Sequence, residues 1–129
     1  MIKKKILIIE DEINIREVYA EVLKDAGYEV LQAGNGQEGY EKALSSDWDL
    51  MLLDIMLPKK DGFDLLTDVK NHEKLRTKPI VLLTNLGKDT IMKEGMSHGA
   101  ASYLVKSEIN PGDVVSTVDN LLSLNAQTN

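Results

Sequence analysis

Cysteine is absent from the sequence, which excludes a disulfide framework, a thiol nucleophile and a thiolate metal site. No apolar run approaches the roughly 18 residues that a membrane span requires. A lysine cluster at residues 3–5 precedes the apolar run Ile6–Ile9. This run is shorter than the roughly 7–15 residues of a signal-peptide core, and no small-residue cleavage site follows it. We therefore expect a protein of the cytoplasm that has no membrane partner.

Positive charge is also scarce, with 15 Lys and Arg residues against 21 Asp and Glu residues and a net charge of −6. The long-range field of such a chain repels nucleic acids and anionic membrane surfaces, so direct binding to nucleic acid is not expected. The two histidines, His72 and His98, have no partner at the spacing of metal ligands. Carboxylates, hydroxyls and lysines remain as the groups from which chemistry can be built.

A length of 129 residues is typical of one domain, and a chain of this size can build a full core unaided. The sequence shows no internal repeat, low-complexity tract or linker. We predict one domain over residues 1–124. The polar residues 125–129 lack periodicity, and we interpret them as a frayed tail or the stump of a linker.

Short apolar runs alternate along the chain with segments of helical periodicity. Unbroken apolar runs such as Leu50–Leu53 are typical of strands buried on both faces. The predicted strands are Ile6–Ile9, Glu29–Ala33, Leu50–Leu53, Ile80–Leu83 and Ser102–Val105. The first predicted helix ends at Gly27 and buries Ile15, Val18, Tyr19, Val22 and Leu23. The second is Gln37–Leu44, with Tyr40, Ala43 and Leu44 facing inward, and the third has Phe63, Leu66 and Val69 facing inward. The fourth is Asp89–His98, and the fifth begins at Pro111. This alternation predicts an α/β fold, a doubly wound (βα)5 domain with a five-stranded parallel sheet.

Polar residues follow the predicted strands at their carboxyl ends. Glu10 and Asp11 follow the first strand, Asp54 the third, Thr84 the fourth and Lys106 the fifth. The carboxyl ends of parallel strands border one crevice at the topological switch point of such a sheet. We therefore expect three carboxylates, a hydroxyl and an ammonium group to share a cleft.

Three crowded carboxylates repel one another unless a cation offsets them, and an all-oxygen set suits a hard divalent ion such as Mg²⁺. Mg²⁺ binds through one or two carboxylates and phosphate oxygens, so phosphoryl transfer is the predicted reaction class. Asp54 would be the nucleophile that forms an aspartyl phosphate. Lys106 would supply positive charge and Thr84 a hydrogen bond.

This ordered set of residues resembles the receiver domain of two-component response regulators, from Ile6 to about Leu122. The matching residues are Glu10 and Asp11 in Ile-Ile-Glu-Asp-Glu, Asp54 in Leu-Leu-Asp-Ile-Met-Leu-Pro, Asp61-Gly62, Thr84 in Leu-Leu-Thr, and Tyr103 and Lys106 in Ser-Tyr-Leu-Val-Lys. The resemblance implies a flavodoxin-like fold with the strand order 2-1-3-4-5.

The resemblance also implies a phosphoacceptor site. Asp54 would receive a phosphoryl group from a sensor histidine kinase or a histidine phosphotransfer protein. Mg²⁺ would be held by Glu10, Asp11, Asp54 and the backbone carbonyl of Met56. Such a protein is a regulator that assists its own phosphorylation and dephosphorylation, and it is not a turnover enzyme.

The output is implied in the same way. Thr84 and Tyr103 would form a switch that reports phosphorylation to the surface of the fourth helix, fifth strand and fifth helix. The partner that recognises this surface would be a downstream protein or an output domain outside this sequence. A phosphorylation-dependent homodimer is also implied.

The sequence departs from the family pattern at three places. Ser107 follows Lys106 where a proline with a cis peptide bond is usual. Asn85 replaces a small residue after Thr84, and Lys59-Lys60 replaces a small and an apolar residue before Asp61.

Three alternatives stand beside this interpretation. The main one is a receiver-like interaction module that never carries phosphate, although such proteins lack an acid, the threonine or the lysine, and none is missing here. A phosphatase of the haloacid dehalogenase type needs a second Asp two residues after the nucleophile, where this chain has Met56. In a flavodoxin, the acidic residues 10–12 would repel the flavin phosphate.

Overall fold

The structure is a computed structural model that describes residues 3–85 and 89–127, with side chains over residues 3–85 and 93–123. Within these residues, strands and helices alternate as the sequence predicts. The strands are β1 Lys5–Ile9, β2 Glu29–Ala33, β3 Leu50–Asp54, β4 Ile80–Thr84 and β5 Ser102–Val105. The helices are α1 Ile13–Asp25, α2 Gly36–Ser45, α3 Gly62–Asn71, α4 Asp89–Ser97 and α5 Pro111–Gln127, with a short 3-10 helix at Lys106–Glu108.

The five strands form one parallel sheet in the order β2-β1-β3-β4-β5, which confirms the predicted fold and strand order. The register aligns the carboxyl ends of the strands. Asp54 at the end of β3 pairs with Leu83 of β4, and Thr84 at the end of β4 pairs with Val105 of β5. Polar residues distant in sequence therefore meet along one edge of the sheet.

Apolar side chains fill both faces of the sheet, as expected for strands without hydrophobic alternation. One core cluster joins alternate strand residues such as Leu7 and Leu53 to side chains of α2 and α3. The other joins Ile8 and Leu52 to side chains of α1 and α5. The central strands are thereby held rigidly, which fixes the position of whatever follows them.

Local signals explain where several helices begin and end. Gly27 follows α1 with φ +100°, a left-handed conformation that glycine adopts without steric cost. Asn35 caps α2 by accepting a hydrogen bond from the Glu38 amide at 2.9 Å. Asp61 caps α3 by accepting one from the Phe63 amide at 2.7 Å. Two of these caps lie in loops at the carboxyl edge of the sheet.

Two residues that were expected on inner helix faces are exposed. Val18 is 44% exposed, because α1 buries Tyr19, Ala20 and Leu23 instead. Leu44 is 48% exposed, because α2 meets the core through Gly36, Gly39 and Ala43. In each helix a narrow stripe of residues contacts the core. Val18 and Leu44 each lie next in sequence to a residue of that stripe, about 100° around the helix, and so fall outside it.

The chain ends also differ in detail from expectation. Helix α5 continues to Gln127, so it includes three of the residues 125–129 that were expected to form a tail. The domain boundary at residue 124 stays a prediction. None of the helices in the described ranges combines the length and apolarity that a membrane crossing requires.

Candidate functional site

Three ionisable side chains from three strand ends meet in one buried cluster. Glu10 follows β1, Asp54 ends β3 and Lys106 follows β5. The Lys106 ammonium donates to Asp54 Oδ2 at 2.6 Å and also to Glu10 Oε1. All three side chains are almost completely buried. The structure therefore brings these three residues together at the carboxyl edge of the sheet, as the sequence predicts.

Glu10 is the most perturbed acid of the cluster. Its side chain is 0% exposed, and its Oε2 accepts a hydrogen bond from the Glu12 amide at 3.4 Å. Burial is the main cause that raises the pKa of Glu10 to about 8; the hydrogen bond with Asp54 adds to this and the contact with Lys106 opposes it. Burial thus favours the protonated form of Glu10 in this state of the site.

Lys106 remains a cation despite its burial. Burial lowers the pKa of its ammonium group, but the hydrogen bonds and the charges of Asp54 and Glu10 together outweigh this and raise the pKa above the ordinary value. A single fixed positive charge thus faces two carboxyl groups. This arrangement places a stable positive charge where an incoming anionic group would need one.

The acids at this edge also form a cluster that can hold a metal ion. One carboxylate oxygen from each of Glu10, Asp11 and Asp54 lies within 4.8 Å of the others. Asp11 is exposed, so the cluster opens to solvent. Asp54 Oδ1 accepts a hydrogen bond from the Met56 amide at 3.0 Å, which orients this carboxylate. An all-oxygen set with one open side fits Mg²⁺, which keeps several of its waters.

The two predicted switch residues lie on neighbouring strands. Thr84 is buried at the end of β4, beside Val105 of β5, the residue directly before Lys106. Tyr103 lies two residues earlier on the edge strand β5, and its side chain is 38% exposed. The threonine is therefore next to the acidic cluster and the tyrosine faces solvent.

The positions that depart from the family pattern have distinct environments. Lys59 has φ +69°, a left-handed conformation that costs a residue with a Cβ atom more than it costs glycine. Lys60 forms an ion pair with Asp68 at 2.5 Å and lies over the ring of Tyr40. The Lys106–Ser107 bond is trans, since no cis peptide bond occurs among the described residues.

A residue that the sequence did not single out also contacts the site. The guanidinium of Arg16 on α1 donates to the backbone carbonyl of Glu10 at 2.8 Å and to Gln32 Oε1 at 3.2 Å. The available signal was a charged residue inside an apolar helical pattern, six positions after Glu10. That signal is common on surface helices and indicates no function by itself.

An apolar groove of about 320 Å³ adjoins Lys106, between α1 and the start of α5. Ile15, Val18 and Tyr19 line it on one side, and Ile109 and Pro111 line it on the other. The exposed Val18 on α1 therefore lines this groove.

Proteins of a known family are similar to this chain in both fold and sequence. Residues 6–119 match the family described as Response regulator receiver domain. The transcriptional regulatory protein SrrA of Staphylococcus aureus is 39% identical over 118 residues, which are 92% of this chain and 47% of SrrA. The chain thus spans about half the length of the curated relatives it matches.

Solved structures agree with this match. The chemotaxis response regulator CheY4 of Vibrio cholerae has a TM-score of 0.87 and 32% identity, with 92% of this chain and 98% of CheY4 covered. A CheY-like receiver domain protein from Methanospirillum hungatei JF-1 has a TM-score of 0.90 and 28% identity, with 99% and 100% covered. From the family match and these similarities we conclude that the chain belongs to the response regulator receiver domain family.

Proposed function

We propose that this domain accepts a phosphoryl group on Asp54 and acts as a phosphorylation-controlled switch of a two-component system. The observation that carries the proposal is the buried contact of Lys106 with Asp54, beside the carboxylates of Glu10 and Asp11. A nucleophilic carboxylate, a fixed cation and a metal-binding acid set are what phosphoryl transfer to aspartate requires.

Mg²⁺ is the proposed cofactor, held by Glu10, Asp11, Asp54 and the backbone carbonyl of Met56. When bound, it would neutralise charge on the oxygens of the phosphoryl group. Lys106, whose ammonium contacts Asp54, would contribute a second positive charge.

The proposed transfer begins with a phosphohistidine of the partner. A carboxylate oxygen of Asp54 attacks the phosphorus, the O–P bond forms and the N–P bond breaks, and the imidazole leaves with the bonding electron pair and takes up a proton. Thr84 would donate a hydrogen bond to a phosphoryl oxygen. Slow attack of water on the phosphorus then returns the Asp54 carboxylate and inorganic phosphate, so the domain resets without acting as a turnover enzyme.

A sensor histidine kinase or a histidine phosphotransfer protein is the proposed donor. The apolar groove beside Lys106, bordered by Val18 and Ile109, supports a protein donor, because a small molecule would not need an apolar surface next to the acceptor. Docking there would bring the phosphohistidine to the open side of the acidic cluster.

The proposed output is a change at the surface of α4, β5 and α5. Phosphorylation would favour a position of Thr84 that lets the exposed ring of Tyr103 turn inward, a shift between two populations. The altered surface would bind a downstream protein, an output domain beyond this chain or a second copy of the domain. The relative SrrA is named a transcriptional regulatory protein, so control of transcription through another domain is one proposed route, with the domain located in the cytoplasm.

Intact-mass spectrometry tests the central proposal. The protein is incubated with Mg²⁺ and acetyl phosphate, beside an Asp54→Asn variant and a sample with EDTA. We expect a gain of about 80 Da, one phosphoryl group, in the wild type and none in either control. An unmodified wild type that also fails to bind beryllofluoride would contradict the proposal and favour a phosphate-independent interaction module.

A further inference from the structure

We propose that Arg16 is a positioning residue for the metal site, because it fixes the loop that carries Glu10 and Asp11. The inference rests on the proposed function, in which these acids hold Mg²⁺. It concerns a residue outside the acidic cluster that acts on the cluster only through the backbone.

Arg16 holds the loop on both sides of Asp11. Its guanidinium donates to the carbonyl of Glu10 at 2.8 Å, and its backbone amide donates to the carbonyl of Glu12 at 3.0 Å. Asp11 is the exposed member of the acid set and lies between these two carbonyls. The guanidinium holds the peptide group that directly precedes Asp11, and the amide hydrogen bond at the start of α1 anchors the chain just after it. Together these contacts restrict how far the Asp11 carboxylate can turn away from the cluster.

The guanidinium is itself held in place from the neighbouring strand. Its Nε donates to Gln32 Oε1 on β2 at 3.2 Å. Arg16 Nη1 would lie only 3.1 Å from a Cβ atom at Gly34, so this position leaves room for the arginine because it lacks a side chain. The amide of Glu10 also donates to the carbonyl of Ala33 at 3.1 Å. The loop that carries Glu10 and Asp11 is thus held at the end of β2 by the Arg16 side chain and by its own backbone.

The charge of Arg16 and its positioning role are expected to have opposite effects on the affinity for Mg²⁺. A positive charge close to a cation site lowers the affinity for the cation by Coulomb repulsion. If Arg16 acted only as a charge, its removal would strengthen Mg²⁺ binding. If it acts by positioning, its removal weakens Mg²⁺ binding, because groups that orient metal ligands typically contribute 10–100-fold in affinity. The two effects differ in sign, so one titration separates them.

The test is a MgCl₂ titration of the full chain, followed by the backbone amide signals in ¹⁵N-HSQC spectra, which also report folding. Arg16→Met removes both the charge and the fork of donors, and Arg16→Lys keeps the charge but cannot bridge Glu10 and Gln32. Gln32→Met removes the partner on β2 and leaves the arginine intact. Lys24→Met, on the exposed face of α1, is the control that changes the net charge equally.

We expect Arg16→Met to bind Mg²⁺ roughly tenfold more weakly than the wild type. Arg16→Lys and Gln32→Met should lie between the two, and Lys24→Met should bind like the wild type. Should Arg16→Met fail to fold, Gln32→Met carries the test.

Equal or tighter binding by folded Arg16→Met, or wild-type affinity in Gln32→Met, would overturn the inference and leave the proposed function standing. A wild type that binds no Mg²⁺ but gains the Asp54 adduct would overturn the metal site and this inference together. A wild type that shows neither would overturn the proposed function itself.

Discussion

The ammonium of Lys106 lies 2.6 Å from Oδ2 of Asp54, although 52 residues separate the two in sequence. The same ammonium donates to Glu10, so one cation serves two buried carboxyl groups. These contacts hold the strand ends β1, β3 and β5 together at the edge where the proposed chemistry takes place. The proposed site is therefore also a structural element of the fold.

Replacing Lys106 by Met should destabilise the protein in EDTA at pH 7. The variant keeps the aliphatic volume but leaves Asp54 and Glu10 without their cation, and breaking a buried ion pair costs about 3 kcal/mol or more in unfolding free energy. Urea denaturation measures the change. Added Mg²⁺ should restore part of the loss, whereas Lys24→Met should stay within about 0.5 kcal/mol of the wild type. Equal stability of Lys106→Met and Lys24→Met would contradict the paired role.

Stability in EDTA should fall as the pH rises from about 5 to 8. The pKa of Glu10 is about 8 in the folded protein and 4.5 in an unpaired glutamate, so between these values the folded state binds more protons than the unfolded state. The stabilising contribution is fully present below the unfolded value and is lost as the pH rises through the folded value. Urea midpoints measured across this range check the direction. In Glu10→Gln, which cannot titrate, this part of the pH dependence should vanish.

The ring of Tyr103 should become less accessible when Mg²⁺ and beryllofluoride mimic the phosphorylated site. Its side chain is 38% exposed in this structure, which leaves it free to move inward. ¹⁹F NMR of fluorotyrosine-labelled protein with a soluble paramagnetic agent measures the change, with the signal assigned by Tyr103→Phe. The Tyr28 signal serves as an internal control, because its hydroxyl is bound to Asp119. An unchanged Tyr103 signal on a fully occupied site would contradict the switch, and Thr84→Ala should abolish the response.

Gly62→Ala should destabilise the domain strongly and disturb the loop after Asp54. A Cβ atom at Gly62 would lie 2.5 Å from the backbone oxygen of Asp54 and 2.6 Å from Cα of Ile55, and neither atom can move without shifting the loop. Overpacking of this kind costs roughly 1–3 kcal/mol, which thermal or urea unfolding would detect. Gly112→Ala at the start of α5 is the matched control, because its Cβ would meet only the end of the Asn110 side chain, at 3.1 Å. Equal effects would contradict the steric argument.

Lys59→Gly should stabilise the protein. Lys59 has φ +69°, and the left-handed conformation costs a residue with a Cβ atom about 1 kcal/mol relative to glycine. Lys59→Ala removes the same charge but keeps the Cβ atom, so its unfolding free energy should stay close to that of the wild type. If both variants were equally stabilised, charge rather than backbone conformation would be the cause.

The sequence predicts the sheet and the location of the site because the physical signals for both are local. Unbroken apolar runs identify the buried strands, and the polar residue that ends each run identifies Asp54, Thr84 and Lys106. The parallel topology then places their carboxyl ends together. The edge of the sheet that carries the cluster therefore follows from the pattern alone.

Other features depend on depth and register, which a linear pattern does not contain. The complete burial of Glu10, and with it the raised pKa, results from tertiary packing around the end of β1. The contact of Arg16 with Gln32 requires the register of β2 against β1. The exposure of Val18 and Leu44 shows the same limit, because helical periodicity marks a broader stripe than the one that meets the core.

The register that aligns β1, β3, β4 and β5 has a consequence for the life of the chain in the cell. Glu10, Asp54 and Lys106 come into contact only when these strands lie side by side, so a nascent, misfolded or partly degraded chain has no assembled site for the proposed phosphoryl transfer. A misfolded chain would then fail to accept the proposed phosphoryl group, and it would not produce a false signal. No separate quality check is needed for this, because the proposed site exists only when the sheet that supports it has formed.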